Sequence, residues 1–252
     1  MPFYELSDQQ CRDFWRDGYL GPLTCGSSLA RDLPDLLHRA GVSSLGEASP
    51  IPAPSTWSKT RRKHINVHDP HLHVPEVKEL CAHESLVGPV AQLLGCREIA
   101  FFQSRFRVKF PQREDPVPWH QDIGENNGGF RADGSPVPSV TAWLSVDGAS
   151  EESGALRVIP GSHTKLFGEW RGGFHSRLEE TGALADIDLT RSVAIEARPG
   201  EFFLFHSWTL HLSTANRTDA PRSGLVLRFV APKDAVQPQT RYTLLKAPSC
   251  DR

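Results

Sequence analysis

The chain has 252 residues, and its 28 Lys and Arg against 30 Asp and Glu give a formal net charge of −2. This charge argues against a nucleic-acid partner, because proteins that bind nucleic acids carry clustered basic residues. No apolar stretch approaches the ~20 residues of a membrane span, and the first residues lack the basic start and apolar run of a signal peptide, so we expect no membrane partner. Five dispersed cysteines without a CxxC pair favour a reduced, cytoplasmic location, and 20 Gly and 20 Pro favour many turns over a helix bundle.

The first part of the chain, to about residue 97, is predicted to be helical. Residues 7–10 form a capping-box pattern, and the helix that follows is expected to carry Phe14 and Trp15 on one face. Further helices are predicted over residues 29–40, 74–82 and 84–94, with a loop over residues 42–63. Pro89 is unfavourable inside the last of these helices.

From about residue 98 the pattern changes to that of β-strands. Between residues 100 and 110, apolar side chains alternate with Arg105, Arg107 and Lys109, which predicts a strand with one wet face. Further strands are predicted over residues 139–147, 154–159, 192–197, 201–206 and 224–231. Many short strands with turn-rich joints favour a sandwich or barrel. The loops over 123–138 and 163–190 are expected to form its mouth, and one or both to order when substrate binds.

A metal site is predicted from Trp119-His120-Gln121-Asp122. On an extended segment His120 and Asp122 share a face, so an imidazole and a carboxylate are available to one divalent metal. His206 and His211 are the candidates for a third ligand, since two histidines and one carboxylate form the facial triad of non-haem Fe(II) oxygenases. An isolated His-x-Asp pair is common by chance at surfaces and turns, so the downstream residues decide the interpretation.

Arg222 stands eleven residues after His211. Its planar guanidinium fits a dicarboxylate cosubstrate, because it can hold a carboxylate with two hydrogen bonds, and Ser213 can add a hydroxyl. The alternative for Arg222 is a solvated loop arginine. Arg105 shares a predicted strand face with Arg107 and is the better candidate for a substrate contact. The basic run at residues 60–64 is either a contact for an acidic group or a solvated face.

Four segments together resemble the phytanoyl-CoA dioxygenase-like branch of the Fe(II)- and 2-oxoglutarate-dependent oxygenases. They are Trp119–Asp122, Thr141–Leu144, Gly154–His163, and His211-Leu212-Ser213 followed by Asn216 and Arg222, in the family's order over about residues 80–232. The resemblance implies a mainly β fold with flanking α-helices and a double-stranded β-helix core, also called a jelly roll and cupin-like. It implies one domain over residues 1–252, with a helical part to about 97, a core over about 98–232 and a tail over 233–252.

The resemblance also implies roles for individual residues. His120, Asp122 and His211 match the iron ligands, which leaves structural roles to His206 and to His163 as a turn former. Residues that match cosubstrate contacts are Arg222, Ser213, Trp143, Thr141 and Gln103, although ordinary packing also explains the last three. Asp122 argues against halogenation, because related halogenases have a small residue at this position.

The activity that the resemblance implies is hydroxylation. With Fe(II), 2-oxoglutarate as cosubstrate and O₂, the protein is expected to oxidise an unactivated C–H bond of a small soluble metabolite or natural-product intermediate, releasing succinate and CO₂. The same iron site can instead catalyse desaturation, epoxidation or ring formation, and a catalytically silent jelly-roll binding protein is the alternative from another class. The sequence leaves the substrate and the oligomeric state open.

Overall fold

The computed structural model describes residues 5–25, 64–113, 115–123, 131, 133–167, 178–235 and 242–247. The predicted helix over 29–40, the predicted loop over 42–63 and parts of both predicted mouth loops lie outside these residues. Within the described part of the chain, no helix is both long enough and apolar enough to cross a membrane.

Three α-helices flank the strands in the described part of the chain: α1 (Asp8–Asp17), α2 (Pro75–Cys81) and α3 (Glu84–Leu94). The predicted capping box is confirmed, because Ser7 Oγ accepts from the Gln10 amide and Gln10 Oε1 accepts from the Ser7 amide. The predicted shared face of Phe14 and Trp15 was wrong. Phe14 is fully buried but Trp15 is 49% exposed, since adjacent residues do not face the same way on a helix.

Helix α3 runs through Pro89 without a break and ends at Leu94, with Gly95 as its C-cap. These bounds are the predicted ones. Most of its side chains are buried. Because tertiary packing supplies most of the stability of a protein helix, this burial outweighs the local cost of the proline.

The described strands form two antiparallel sheets that confirm the predicted jelly-roll core. The strands are β1 (Tyr19–Thr24), β2 (His64–His68), β3 (Glu98–Lys109), β4 (Val117–His120), β5 (Val140–Ser145), β6 (Leu156–Val158), β7 (Val193–Ile195), β8 (Glu201–His206), β9 (His211–Ser213), β10 (Arg222–Val230) and β11 (Thr243–Lys246). The larger sheet has the order β1-β8-β5-β10-β3-β11, with β2 also paired to β3, and the smaller sheet has the order β4-β9-β6-β7.

The described segments of the N-terminal part and the tail include three strands that were not predicted. Strands β1 and β2 belong to the N-terminal part, and β11 belongs to the predicted tail, yet all three pair in the larger sheet. Strand β2 alternates apolar and polar residues over only five positions, whereas β1 and β11 show no regular alternation. Their extended form comes from backbone pairing with β8 and β3, which a local pattern does not reveal.

Side-chain alternation along the larger sheet separates a core face from a site face. On β5, Ala142 and Leu144 join the large cluster that includes the buried residues of α2 and α3, whereas Trp143 joins a second cluster with Phe203 and Phe205. The second cluster also contains Val158 and Ile195 of the smaller sheet, so it lies between the two sheets. Alternate residues of β5 therefore point toward the interior of the barrel.

The predicted wet face of β3 was wrong. Lys109 has no exposed surface, and its Nζ donates to the carbonyl oxygens of Ser213 and Thr214. Arg105 and Arg107 are partly buried and line a pocket between the sheets. A polar face of a strand need not be a solvated surface, because polar side chains also line the inside of a barrel when they find partners or ligands there.

Candidate metal centre

His120 and His211 lie directly opposite each other on the paired strands β4 and β9. Their ring centroids are 4.1 Å apart, and His120 Nε2 lies 3.9 Å from Asp122 Oδ1. Ligand atoms of the three side chains all lie within 4.8 Å of one another, and each side chain is buried. The structure thus brings together the three residues that the sequence predicted as a metal triad.

The backbone holds both imidazoles in the form that a metal requires. His120 Nδ1 lies 2.9 Å from the Pro118 carbonyl oxygen, and His211 Nδ1 lies 2.8 Å from the Thr209 carbonyl oxygen. Because a carbonyl only accepts, each Nδ1 carries the proton and each Nε2 presents a lone pair as a ligand. Burial lowers the pKa of both histidines, that of His120 to about 3, which keeps the rings neutral near pH 7.

Arg228 is a residue of this site that the sequence reasoning missed. Its Nη2 donates to Asp122 Oδ2 at 2.7 Å, and its Nη1 donates to Gln103 Oε1. Burial by itself would raise the pKa of Asp122, but the charge and the hydrogen bond of Arg228 act against it, and this pKa lies below its usual range. The missed signal was the alternation along β10, which puts Arg228 on the same face as Arg222.

Arg222 lies in the same pocket as the triad and is 2% exposed. Its Nη2 donates to the Gly154 carbonyl oxygen at 2.5 Å, and its Nε is buried without a hydrogen-bond partner. The guanidinium lies 5.7 Å from the centroid of the Trp143 ring, and Ser213 lines the pocket beside it. The alternative of a solvated loop arginine was therefore wrong, because the guanidinium is buried beside the predicted metal site.

The other predicted site residues divide into two groups. Arg105 lines the pocket, whereas Gln103 and Thr141 are buried outside its lining. Gln103 reaches the site through Arg228, and Thr141 stands opposite Arg228 in the register of β5 and β10. The Thr141 hydroxyl is buried without a hydrogen-bond partner.

His206 lies away from the triad, in a second group of aromatic rings. Its Nδ1 accepts from the Trp208 amide at 3.1 Å, and its ring centroid lies 5.3 Å from that of His163. His163 sits in a 3₁₀ turn and contacts the Trp15 carbonyl oxygen through Nε2 at 3.2 Å. These contacts agree with the structural roles that were predicted for both residues.

Comparison with known proteins places the chain in a family. Residues 51–224 match the model for phytanoyl-CoA dioxygenase (PhyH). The chain is 27% identical over 172 residues to a probable alpha-ketoglutarate-dependent hypophosphite dioxygenase of Stutzerimonas stutzeri, an alignment that covers 66% of this chain and 56% of that protein. It is 25% identical over 241 residues to the ectoine dioxygenase of Nocardia farcinica, which covers 89% of this chain and 78% of that protein.

The fold is shared with a solved enzyme of nogalamycin biosynthesis. The non-heme alpha-ketoglutarate-dependent carbocyclase SnoK superposes with a TM-score of 0.71 at 18% identity, over 96% of this chain and 97% of that chain. The chain spans little more than half the length of the hypophosphite relative. The match to the family model covers well over half of the sequence, and the chain therefore belongs to the phytanoyl-CoA dioxygenase family.

Proposed function

We propose that the chain is an Fe(II)- and 2-oxoglutarate-dependent dioxygenase that hydroxylates a small metabolite or natural-product intermediate at an unactivated C–H bond. The observation that carries this proposal is the convergence of His120, Asp122 and His211 in the pocket that holds Arg222. Family membership supports the proposal. The two named relatives also support it, because their names refer to hypophosphite and ectoine, which are small compounds.

The donor set fits iron. His120 Nε2, His211 Nε2 and Asp122 Oδ1 would hold the metal from one side, which is the facial arrangement that leaves positions open for other ligands. Asp122 Oδ2 is committed to Arg228, so the carboxylate offers the metal one oxygen. When bound, iron with 2-oxoglutarate and O₂ would supply the oxidising chemistry that ends in succinate and CO₂.

The chain's own residues fit a dicarboxylate beside that metal. Arg222 and the Ser213 hydroxyl would hold its far carboxylate, and the buried Arg222 Nε is a donor that awaits an acceptor. Burial lowers the pKa of Arg222 to about 10, which leaves the guanidinium charged near pH 7. The Trp143 ring packs against the guanidinium and excludes water from it.

Gln103, Thr141 and Arg105 have less direct proposed roles. Gln103 would orient Arg228, and Thr141 would support the cosubstrate wall from the neighbouring strand position. Arg105 lines the pocket and would face the substrate. In this reaction the protein would bind the metal, orient the cosubstrate and the substrate, and exclude water, so no side chain is assigned as a general base.

The proposal is tested by adding Fe(II) and 2-oxoglutarate to the protein without oxygen. We expect a weak visible charge-transfer band, and then succinate release in air that depends on substrate when candidate compounds are screened. His211→Ala should abolish the band, whereas His206→Ala, which removes a buried histidine outside the triad, should retain it. Absence of the band in folded wild-type protein, or its persistence in His211→Ala, would refute the assignment.

A further inference from the structure

We propose that the substrate carries a compact oxyanion group, a carboxylate or a phosphonate, that binds to Arg105 beside Arg228. This inference rests on the proposed function and specifies the substrate class of that site. Both arginines line the pocket that contains the triad. They come from the paired strands β3 and β10, where Arg105 stands opposite Val226, two residues from Arg228. Long side chains at such diagonal positions reach each other across a sheet.

Among the described residues of the pocket, Arg105 lacks the ion-pair partner that its neighbours have. Arg107 forms an ion pair with Asp115 at 2.7 Å, and Arg228 forms one with Asp122 at 2.7 Å. Arg222 is assigned to the cosubstrate. In the described part of the chain, no side chain lies within hydrogen-bond or ion-pair distance of the Arg105 guanidinium, and its Nε is buried without a partner.

An unpaired guanidinium in such a place is unfavourable until an anion arrives. Arginine does not lose its proton to relieve the cost of burial, so the charge persists in the pocket. Burial and the charge of Arg228 lower the pKa of Arg105 by more than the carboxylates of Asp122 and Asp69 raise it, so the net environment is unfavourable for its charge. A bound oxyanion would accept from the planar guanidinium fork and offset this cost, whereas a neutral substrate would leave it in place.

Arg228 connects the proposed oxyanion position at Arg105 to the metal centre. Gln103 and Asp122 hold its two terminal nitrogens, so its guanidinium is fixed in orientation. An oxyanion at Arg105 would therefore lie beside a second fixed positive charge that is itself bonded to a proposed iron ligand. The substrate would be held by its charged group while its C–H bonds extend toward the triad in the same pocket.

Methylphosphonate and acetate are suitable probes. Each is titrated calorimetrically, at low ionic strength and without oxygen, into protein saturated with Fe(II) and 2-oxoglutarate, so that the cosubstrate occupies Arg222. We expect one site per chain, with binding weakened roughly 10- to 100-fold in Arg105→Gln, as the loss of a charge-assisted contact predicts. Arg191→Gln removes an exposed arginine that does not line the pocket and should bind both probes like the wild type.

The tighter of the two probes would assign the group as a phosphonate or a carboxylate. Dimethyl methylphosphonate, which has no charge, should not bind. The inference is overturned if neither anion binds at millimolar concentration, if Arg105→Gln binds both as tightly as the wild type, or if the neutral ester binds equally well. The Fe(II)–2-oxoglutarate band is recorded for every variant, so its absence identifies failure of the proposed function, and its presence in Arg105→Gln shows that this variant is folded.

Discussion

Arg228 Nη2 lies 2.7 Å from Asp122 Oδ2, and both side chains are almost completely buried. The contact joins β10 of the larger sheet to the residue that follows β4 of the smaller sheet by two positions. It therefore connects the two layers of the barrel at the proposed metal ligand. It also selects which carboxylate oxygen of Asp122 remains for a metal.

Arg228→Met should destabilise the metal-free protein, because it leaves a buried carboxylate without its counterion. We expect the free energy of unfolding to fall by about 3–5 kcal/mol, measured by chemical denaturation. The double variant Asp122→Asn with Arg228→Met should be more stable than Arg228→Met alone, since it removes the orphaned charge. Arg131→Met breaks the more exposed ion pair with Asp234 and should cost at most about 1 kcal/mol. Equal losses of unfolding free energy in Arg228→Met and Arg131→Met would show that the buried ion pair stabilises the protein no more than the exposed pair does.

Arg222→Lys should weaken 2-oxoglutarate binding although it preserves the positive charge. Lysine lacks the planar fork, so we expect the KM for 2-oxoglutarate to rise by roughly tenfold or more, with a smaller change in kcat. Steady-state succinate assays over a range of 2-oxoglutarate concentrations measure both constants. Arg191→Lys, at an exposed position, is the control. An unchanged KM with a reduced kcat would contradict the proposed carboxylate contact.

Gly224→Ala should disturb the wall of the pocket. A Cβ at this position would lie 2.6 Å from Trp143 Nε1, so the indole that packs on Arg222 has to move. We expect a loss of about 1–3 kcal/mol in the free energy of unfolding, together with a higher KM for 2-oxoglutarate. Trp143→Phe in the same chain should recover part of the stability. Ser145→Ala, which stands opposite Gly224 in the register of β5 and β10, removes a buried hydroxyl without a partner and should change little; a similar loss there would argue against the steric explanation.

Lys109 should make stability depend on pH. Burial, with smaller effects from Arg222 and Arg107, lowers its pKa from 10.5 to about 6. Between these values the unfolded chain holds a proton that the folded chain has released, so the free energy of unfolding should increase as pH rises through this window. Denaturation at several pH values should show a smaller slope in Lys109→Met than in wild type or in Lys165→Met, which replaces an exposed lysine. Equal slopes in all three proteins would show that the pKa of Lys109 is not lowered in the folded protein.

Local patterns in the sequence predicted α1 and most of the core strands, but not β4 and β9, which carry two of the proposed metal ligands. The capping box located α1, and alternation located most of the core strands, because backbone hydrogen bonding and side-chain period are properties of a few consecutive residues. The same alternation put His120 and Asp122 on one face. The family resemblance then selected His211 and Arg222, which no local pattern singles out.

The sequence by itself thus determined a sandwich or barrel of short strands, which the family resemblance specified as a jelly roll, and a pair of candidate metal ligands at fixed spacing. The tertiary structure decided which side chains lie opposite each other and which surface each strand face meets. The residues alone left His206 and His211 open, but the register of β4 with β9 sets His211 opposite His120. The polar residues of β3 meet the barrel interior, and Arg228 meets Asp122, because two sheets close on each other there. Alternation specifies which residues share a face, but the packing of distant strands specifies which surface that face meets.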